Sequence, residues 1–289
     1  MLKNYYRTHS FFSDPGDYVG MYDAFSENIS ELTKQVQQLF LHYADLNLLS
    51  ISVDEKRYAE MNFRYIKNSI EKILLLDLSN LISERRPKNR VMGVCRDTSL
   101  LLCSILRSRD IEARLRSGFV NYFIPGLFLD GFCVEIYDEK QQRWRSIDTR
   151  TTQMHIDHYH LPIDFDLMDV PNTKFISAAD AWQMCRFENA DAVRFGSRQQ
   201  RGLFTIRNRL IQDLALLNKQ EPLIWDAWGP MLTSAITNFD LLDELSHTLI
   251  ADVNDTKKIT AFYDSNPGLQ FPKTILVDNP FLNAEWITL

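Results

Sequence analysis

Between Cys95 and Ser108 the chain sets apolar residues around most of a helix: Leu100, Leu101, Leu102, Cys103, Ile105 and Leu106 leave no continuous polar face. A surface helix keeps one face for water, so a helix apolar on most of its circumference belongs at the centre of a structure. The remaining chain must supply its cover. With 289 residues, 45% of them hydrophobic, there is enough apolar material to do so.

The cover on one side is legible just downstream. Ile111-Glu112-Ala113-Arg114-Leu115-Arg116 alternates with period two, as a strand does. Phe128 to Tyr137 reads as a second strand and Arg143 to Asp148 as a third, joined by the polar turn Asp138 to Gln142. A buried helix followed by antiparallel strands predicts an α+β fold. Upstream, Leu32, Val36, Leu39, Phe40 and Tyr43 recur with helical spacing, and so do Ile66, Ile70, Ile73 and Leu74. The segment from Thr149 to about Phe175, holding Pro162 and Pro171, reads as loop. Helices follow at Ser177 to Arg186, Ile206 to Leu217 and Asp240 to Leu249, and the Pro-punctuated tail from Asp252 reads as loop. With no internal repeat, residues 1–289 read as a single unit. Its parts are an N-terminal helical part (1–87), a core (88–150), and a loop and C-terminal helical part (151–289).

A net charge of −6 gives no overall field favouring nucleic acid or anionic lipid. The basic runs Arg85 to Arg90 and Arg194 to Arg209 read as solvated faces. No window is long and apolar enough for a membrane span, and Met1 to Arg7 is not followed by a signal-like apolar stretch. The four cysteines form no CxxC pair. The expectation is a cytoplasmic protein with reduced thiols, no cofactor, and neither nucleic acid nor membrane as partner.

The chemistry-bearing residues cluster around the central helix. Gly93-Val94-Cys95-Arg96-Asp97-Thr98-Ser99, Leu106 to Arg114, Arg116-Ser117-Gly118-Phe119 and Trp144-Arg145-Ser146-Ile147-Asp148 together resemble the core of the bacterial transglutaminase-like proteins, a papain-related superfamily of cysteine enzymes. The resemblance covers roughly Arg86 to Arg150. Flanking stretches echo one subgroup: Tyr5 to Ser10, Ala181 to Arg186, Asp213 to Asn218 and Trp225 to Gly229. It implies a cysteine at a helix N-terminus facing a histidine and an aspartate on adjacent strands. Carried over, Cys95 takes the nucleophile's place and Asp148 that of the acid orienting the imidazole. Helix-end N–H groups and the cation of Arg96 next door would favour a thiolate.

The histidine itself is missing. Where the family pattern reads Asp-His-Trp-x-x-Glu, this chain has Asp130-Gly131-Phe132-Cys133-Val134-Glu135. Asp130 and Glu135 hold the register, and glycine at 131 can neither accept nor donate a proton through a side chain. Asn89, Asp130 and Glu135 are candidates for contacting a ligand, Asn89 as an oxyanion-hole amide. Gly118 reads as a bulge or turn at a strand end. His155, His158 and His160 suggest a metal cluster at first sight, but they read as solvated loop histidines with no metal bound. Asp148 should point toward the space above Gly131, and Gly131→His should then rebuild the chain of hydrogen bonds from Cys95.

The expectation is a degenerate or altered family member binding a peptide or small molecule in the remnant cleft. The alternative is an active acyl-transfer enzyme, or an amide or thioester hydrolase, using Cys95 with an unidentified base.

Overall fold

The computed structural model describes residues 5–289. Helices α1 (Ile29–Gln37) and α2 (Ile66–Leu76) precede the central helix α3 (Cys95–Ser108). Asn28 starts α1 by accepting the Glu31 N–H at 3.1 Å, and Leu32 and Val36 carry its buried stripe. The helical spacing continues through Phe40 and Tyr43, but α1 ends at Gln37. Phe40–His42 form strand β1, paired in parallel with β2 (Val91–Gly93). Phe40 and Leu41 point opposite ways from the strand yet both are buried. A strand covered on two faces loses the alternation that would have marked it.

α3 is as enclosed as its composition demands: Leu100, Leu101, Leu102, Cys103, Ile105 and Leu106 have no solvent exposure. Each such aliphatic side chain contributes about 1.5–3 kcal/mol by leaving water. On one side lie α1 and α2. On the other lies a sheet of β3 (Ala113–Val120), β4 (Phe128–Asp138) and β5 (Arg143–Ile147) with β6 (Phe175–Ser177), in the antiparallel order β5-β4-β3-β6. A two-residue strand β7 (Phe195–Gly196) joins β4 in parallel. Leu115, Phe132, Val134, Ile136 and Ile147 pack with α3 in one core. Gly118 is not at a strand end: β3 runs on to Val120, and Gly118 faces Gly131 across the β3–β4 ladder.

The segment after β5 is not all loop, because Gln153–Tyr159 form helix α4. The opposite face of the sheet is covered by α5 (Ala178–Phe187) and α6 (Leu203–Leu217). The tail also differs from expectation. Strand β8 (Asp226–Ala227), helices α7 (Phe239–Ala251) and α8 (Thr256–Ser265), and strands β9 (Thr274–Val277) and β10 (Glu285–Thr288) complete the chain. The three strands form an antiparallel sheet ordered β10-β9-β8. Asp255 starts α8 by accepting the Lys257 and Lys258 N–H groups, and Ile259, Ile275 and Val277 are buried. The prolines of this tail punctuate short elements instead of marking one loop.

The resulting architecture is α+β, as expected. The basic runs are not simply solvated. Arg85, Arg207 and Arg209 are buried. Arg85 donates to the carbonyls of Asp77, Ser79, Asn80, Leu81 and Ser83, and Arg207 to those of Thr233 and Ala235. Such clamps are invisible in a charge count because the acceptors are backbone. The flanking motifs tie the outer elements to the core. Tyr6 donates to the Leu217 carbonyl at 2.9 Å, Trp182 to Asp243 at 2.6 Å and Trp228 to the Leu269 carbonyl at 3.1 Å. Among the described residues no helix is long and apolar enough to cross a membrane.

Candidate active site

Cys95 is the first residue of α3 and only 9% exposed. The turn into the helix is fixed by Asp97, whose carboxylate reaches back to accept the Val94 N–H at 2.9 Å. An acid at this position suits the positive end of the helix. It leaves little room beside Gly93, where a Cβ would stand 3.0 Å from that carboxylate oxygen.

The thiol is not activated. Burial pushes it up from 9.0 to about 11; the Phe132 N–H at the sulfur and the Arg150 charge pull the other way, while Asp130 and Asp97 add to the rise. The cation expected from Arg96 is turned elsewhere. Its guanidinium donates to the carbonyls of Phe63, Arg64 and Glu221 and pairs with Asp97. Arg96 follows Cys95 in sequence, but it serves as a buried clamp between segments.

Gly131 lies over the sulfur. A Cβ built on it stands 3.6 Å from Cys95 Sγ and, its chain neighbours aside, meets no other atom within 4 Å. Asp148 follows β5 directly and is buried, but its carboxylate is fully engaged. Oδ1 accepts the Arg150 N–H at 2.6 Å and the Thr151 N–H at 3.0 Å. Oδ2 accepts the Tyr122 hydroxyl at 2.6 Å and also the Thr151 hydroxyl. Burial and the adjacent Asp148 charge hold the Tyr122 hydroxyl well above its ordinary range, so it remains a donor. Tyr122 comes from the turn after β3, and nothing in its sequence neighbourhood marks it as a partner of Asp148.

The other candidates are engaged in the fold. Asn89 donates one amide N–H to Asp77 at 3.3 Å. Asp130 pairs with Arg209 at 2.9 Å. Glu135 sits between Arg114 at 2.6 Å and Arg116 at 3.1 Å. Burial would raise its carboxyl, but the two guanidiniums overcome this and hold it below its ordinary value.

Four of the six histidines have partners of their own. His155 is buried, not solvated, and lies in α4. Its Nδ1 accepts the Thr152 N–H at 3.0 Å, and Nε2 lies 3.1 Å from Asp45 and 2.7 Å from the Arg150 guanidinium. Both nitrogens are therefore used. His42 accepts the Ala44 N–H at 3.1 Å through Nδ1, and burial holds it well below its ordinary 6.5. His9 contacts Ser108, at the far end of α3, and His247 contacts Asp243 within α7. His158 and His160 are exposed. Among the described residues no group of three or more His, Cys, Asp or Glu side chains could hold a metal ion.

A cavity of about 640 Å³ adjoins the start of α3 at Gly93, Val94 and Thr98. Its walls come from α1, β1, α4 and residues 163–168, and Cys95 is not among the lining residues. Sequence reading missed it because no single segment contains it.

No family model matches the chain, and no curated protein matches it. A solved structure of a Cytophaga hutchinsonii protein, provisionally named a cysteine protease, is similar over 61% of this chain and 47% of that one, at 16% identity and a TM-score of 0.34. This chain thus spans about half the length of that protein.

Proposed function

We propose that this protein is a degenerate relative of the transglutaminase-like cysteine enzymes, one that binds a peptide or small molecule beside Cys95 and lacks their turnover. The observation that carries the reading is Gly131, whose Cβ position lies 3.6 Å from the sulfur and bears no base. Acyl transfer needs the thiol proton removed and a proton returned to the leaving group. Cys95 is pushed up to about 11, and the imidazoles of His42 and His155 offer it no free lone pair. Removing a triad member costs on the order of 10³-fold or more in rate.

The test is hydrolysis and aminolysis of a panel of activated thioesters and amides, with Cys95→Ala as the blank. Turnover indistinguishable from the blank is expected. Cys95-dependent turnover at rates usual for this class of enzyme would overturn the reading and favour an active acyl-transfer enzyme with a base supplied from elsewhere.

A further inference from the structure

The cavity beside α3 has a chemical polarity of its own. One wall is apolar: Ile163, Phe165, Leu167 and Met168, with Met154 and Ile156 of α4. Its charged lining residues are three cations (Lys34, Arg90, Arg150) and two carboxylates (Asp45, Asp166). One carboxylate is neutralised. Asp45 is paired with Arg150 and lies 3.1 Å from His155 Nε2, whereas the exposed Asp166 accepts the Met168 N–H at 2.8 Å and keeps its charge.

The cations are not used up in the same way. Arg150 pairs with Asp45 and lies 2.7 Å from His155 Nε2. Among the described residues neither Lys34 nor Arg90 makes an ion pair; the Arg90 guanidinium donates to the carbonyl of Arg85, with the charge of Glu84 in its surroundings. These two residues enter the lining from neighbouring segments of the backbone. Lys34 is in the last turn of α1, and Arg90 directly precedes β2, whose Val91 pairs with Phe40 just beyond that helix. His42, with its proton on Nε2, and Thr98 add donor capacity along the floor. Thr98 lies three residues on from Cys95, on the same helical face. A pocket with an apolar wall and two unpaired cations against one unneutralised, exposed carboxylate suits a ligand with an apolar body and an anionic head.

We propose that this cavity binds a small amphipathic acid, with its apolar body along residues 163–168 and its carboxylate or phosphate head at Lys34 and Arg90. This deepens the binding reading above by naming the ligand class. It requires nothing of the thiol, since Cys95 does not line the cavity.

The test is calorimetric titration of the full chain with decanoate, decyl phosphate and decanol. Saturable binding of at least one acid, about tenfold tighter than decanol, is expected. The tighter of the two acids identifies the head group. Lys34→Glu and Arg90→Glu should each weaken acid binding about tenfold and leave decanol unaffected. Phe165→Ser should weaken all three ligands, and Cys95→Ala none. Lys34 is on the exposed side of α1, so its variant keeps the test valid if the Phe165 variant misfolds. No saturable binding, decanol binding as tightly as the acids, or acid binding indifferent to both charge reversals would overturn the proposal. Turnover on the thioester panel is a separate readout, so either reading can fail without the other.

Discussion

Placing histidine at position 131 should not by itself complete a triad with Cys95 and Asp148, because the acid that would orient the ring is already taken. Asp148 accepts two backbone N–H groups through Oδ1 and two hydroxyls through Oδ2, which fills the capacity of a carboxylate. An imidazole N–H has to displace the Tyr122 hydroxyl. The bond it gains and the bond it breaks are both of the charge-assisted kind, about 1.5–3 kcal/mol, and roughly cancel. What remains is a buried phenol without a partner, costing about 1–3 kcal/mol. At 1.4 kcal/mol per decade, the ring would be properly held in about one molecule in ten to one in a hundred. Gly131→His alone should therefore recover only about 10- to 100-fold, short of the roughly 10³-fold a triad member supplies, in Cys95-dependent thioester hydrolysis. Adding Tyr122→Phe removes the competing donor, and the double variant should exceed the single one by about 10- to 100-fold. Each background needs its own Cys95→Ala blank. If Gly131→His alone matches the double variant, Tyr122 does not hold Asp148 and the reasoning fails.

Three further outcomes are expected. The rise of the Cys95 thiol from 9.0 to about 11 lowers its thiolate fraction about a hundredfold at neutral pH. Site-resolved alkylation should be correspondingly slow and climb with pH toward 11, whereas a fast plateau at neutral pH would contradict it. Asp45 is buried, which works against ionisation, yet hydrogen bonding from His155 and the charge of Arg150 hold it at about 2 against an ordinary 3.8. A depressed carboxyl stabilises the fold above 3.8 and stops doing so as pH falls through 2. Asp45→Asn should thus cost about 2 kcal/mol near neutral pH and little near pH 2 in urea unfolding, and an equal cost at both would refute the assignment. The paired glycines should respond oppositely. A Cβ on Gly118 would stand 2.3 Å from the Ile176 carbonyl oxygen, whereas one on Gly131 meets only the sulfur. Gly118→Ala should lower stability by about 1–3 kcal/mol and Gly131→Ala should leave it equal or raise it by about 0.5 kcal/mol, both read from thermal melts.

The sequence carried the centre of the fold better than its surroundings. α3 and the strands β3 to β5 were legible because each has one strong period and a sharp turn at its end. β1 was hidden because burial on both faces erased its alternation, and α4 because its few residues are mostly polar. Cys95, Gly131 and Asp148 were placed from their motifs. Their electrostatics were not, because burial, the direction of Arg96 and the Tyr122 contact depend on segments far apart in the chain. His155 shows the same limit. Local composition reads as loop, while Asp45, 110 residues earlier, supplies the partner that lets it be buried.

The charged residues around Cys95 and Gly131 are accounted for by the packing. Each has a structural task that does not depend on chemistry. Asp148 gathers the turn at Arg150 and Thr151 and holds Tyr122. Asp130 neutralises Arg209. Glu135 and Asp213 neutralise Arg116, and Glu135 also serves the buried Arg114. Removing one member of such a buried pair costs about 3–5 kcal/mol, because it leaves an uncompensated charge. Cys95 sits where a small apolar group fits between the start of α3 and Phe132. A side chain at position 131 has no such task, since the place it would fill touches only the sulfur. The family-like acids and the cysteine are therefore accounted for by folding alone, and their presence is not an argument for catalysis. Position 131 is the one place in this group where the packing makes no demand on a side chain.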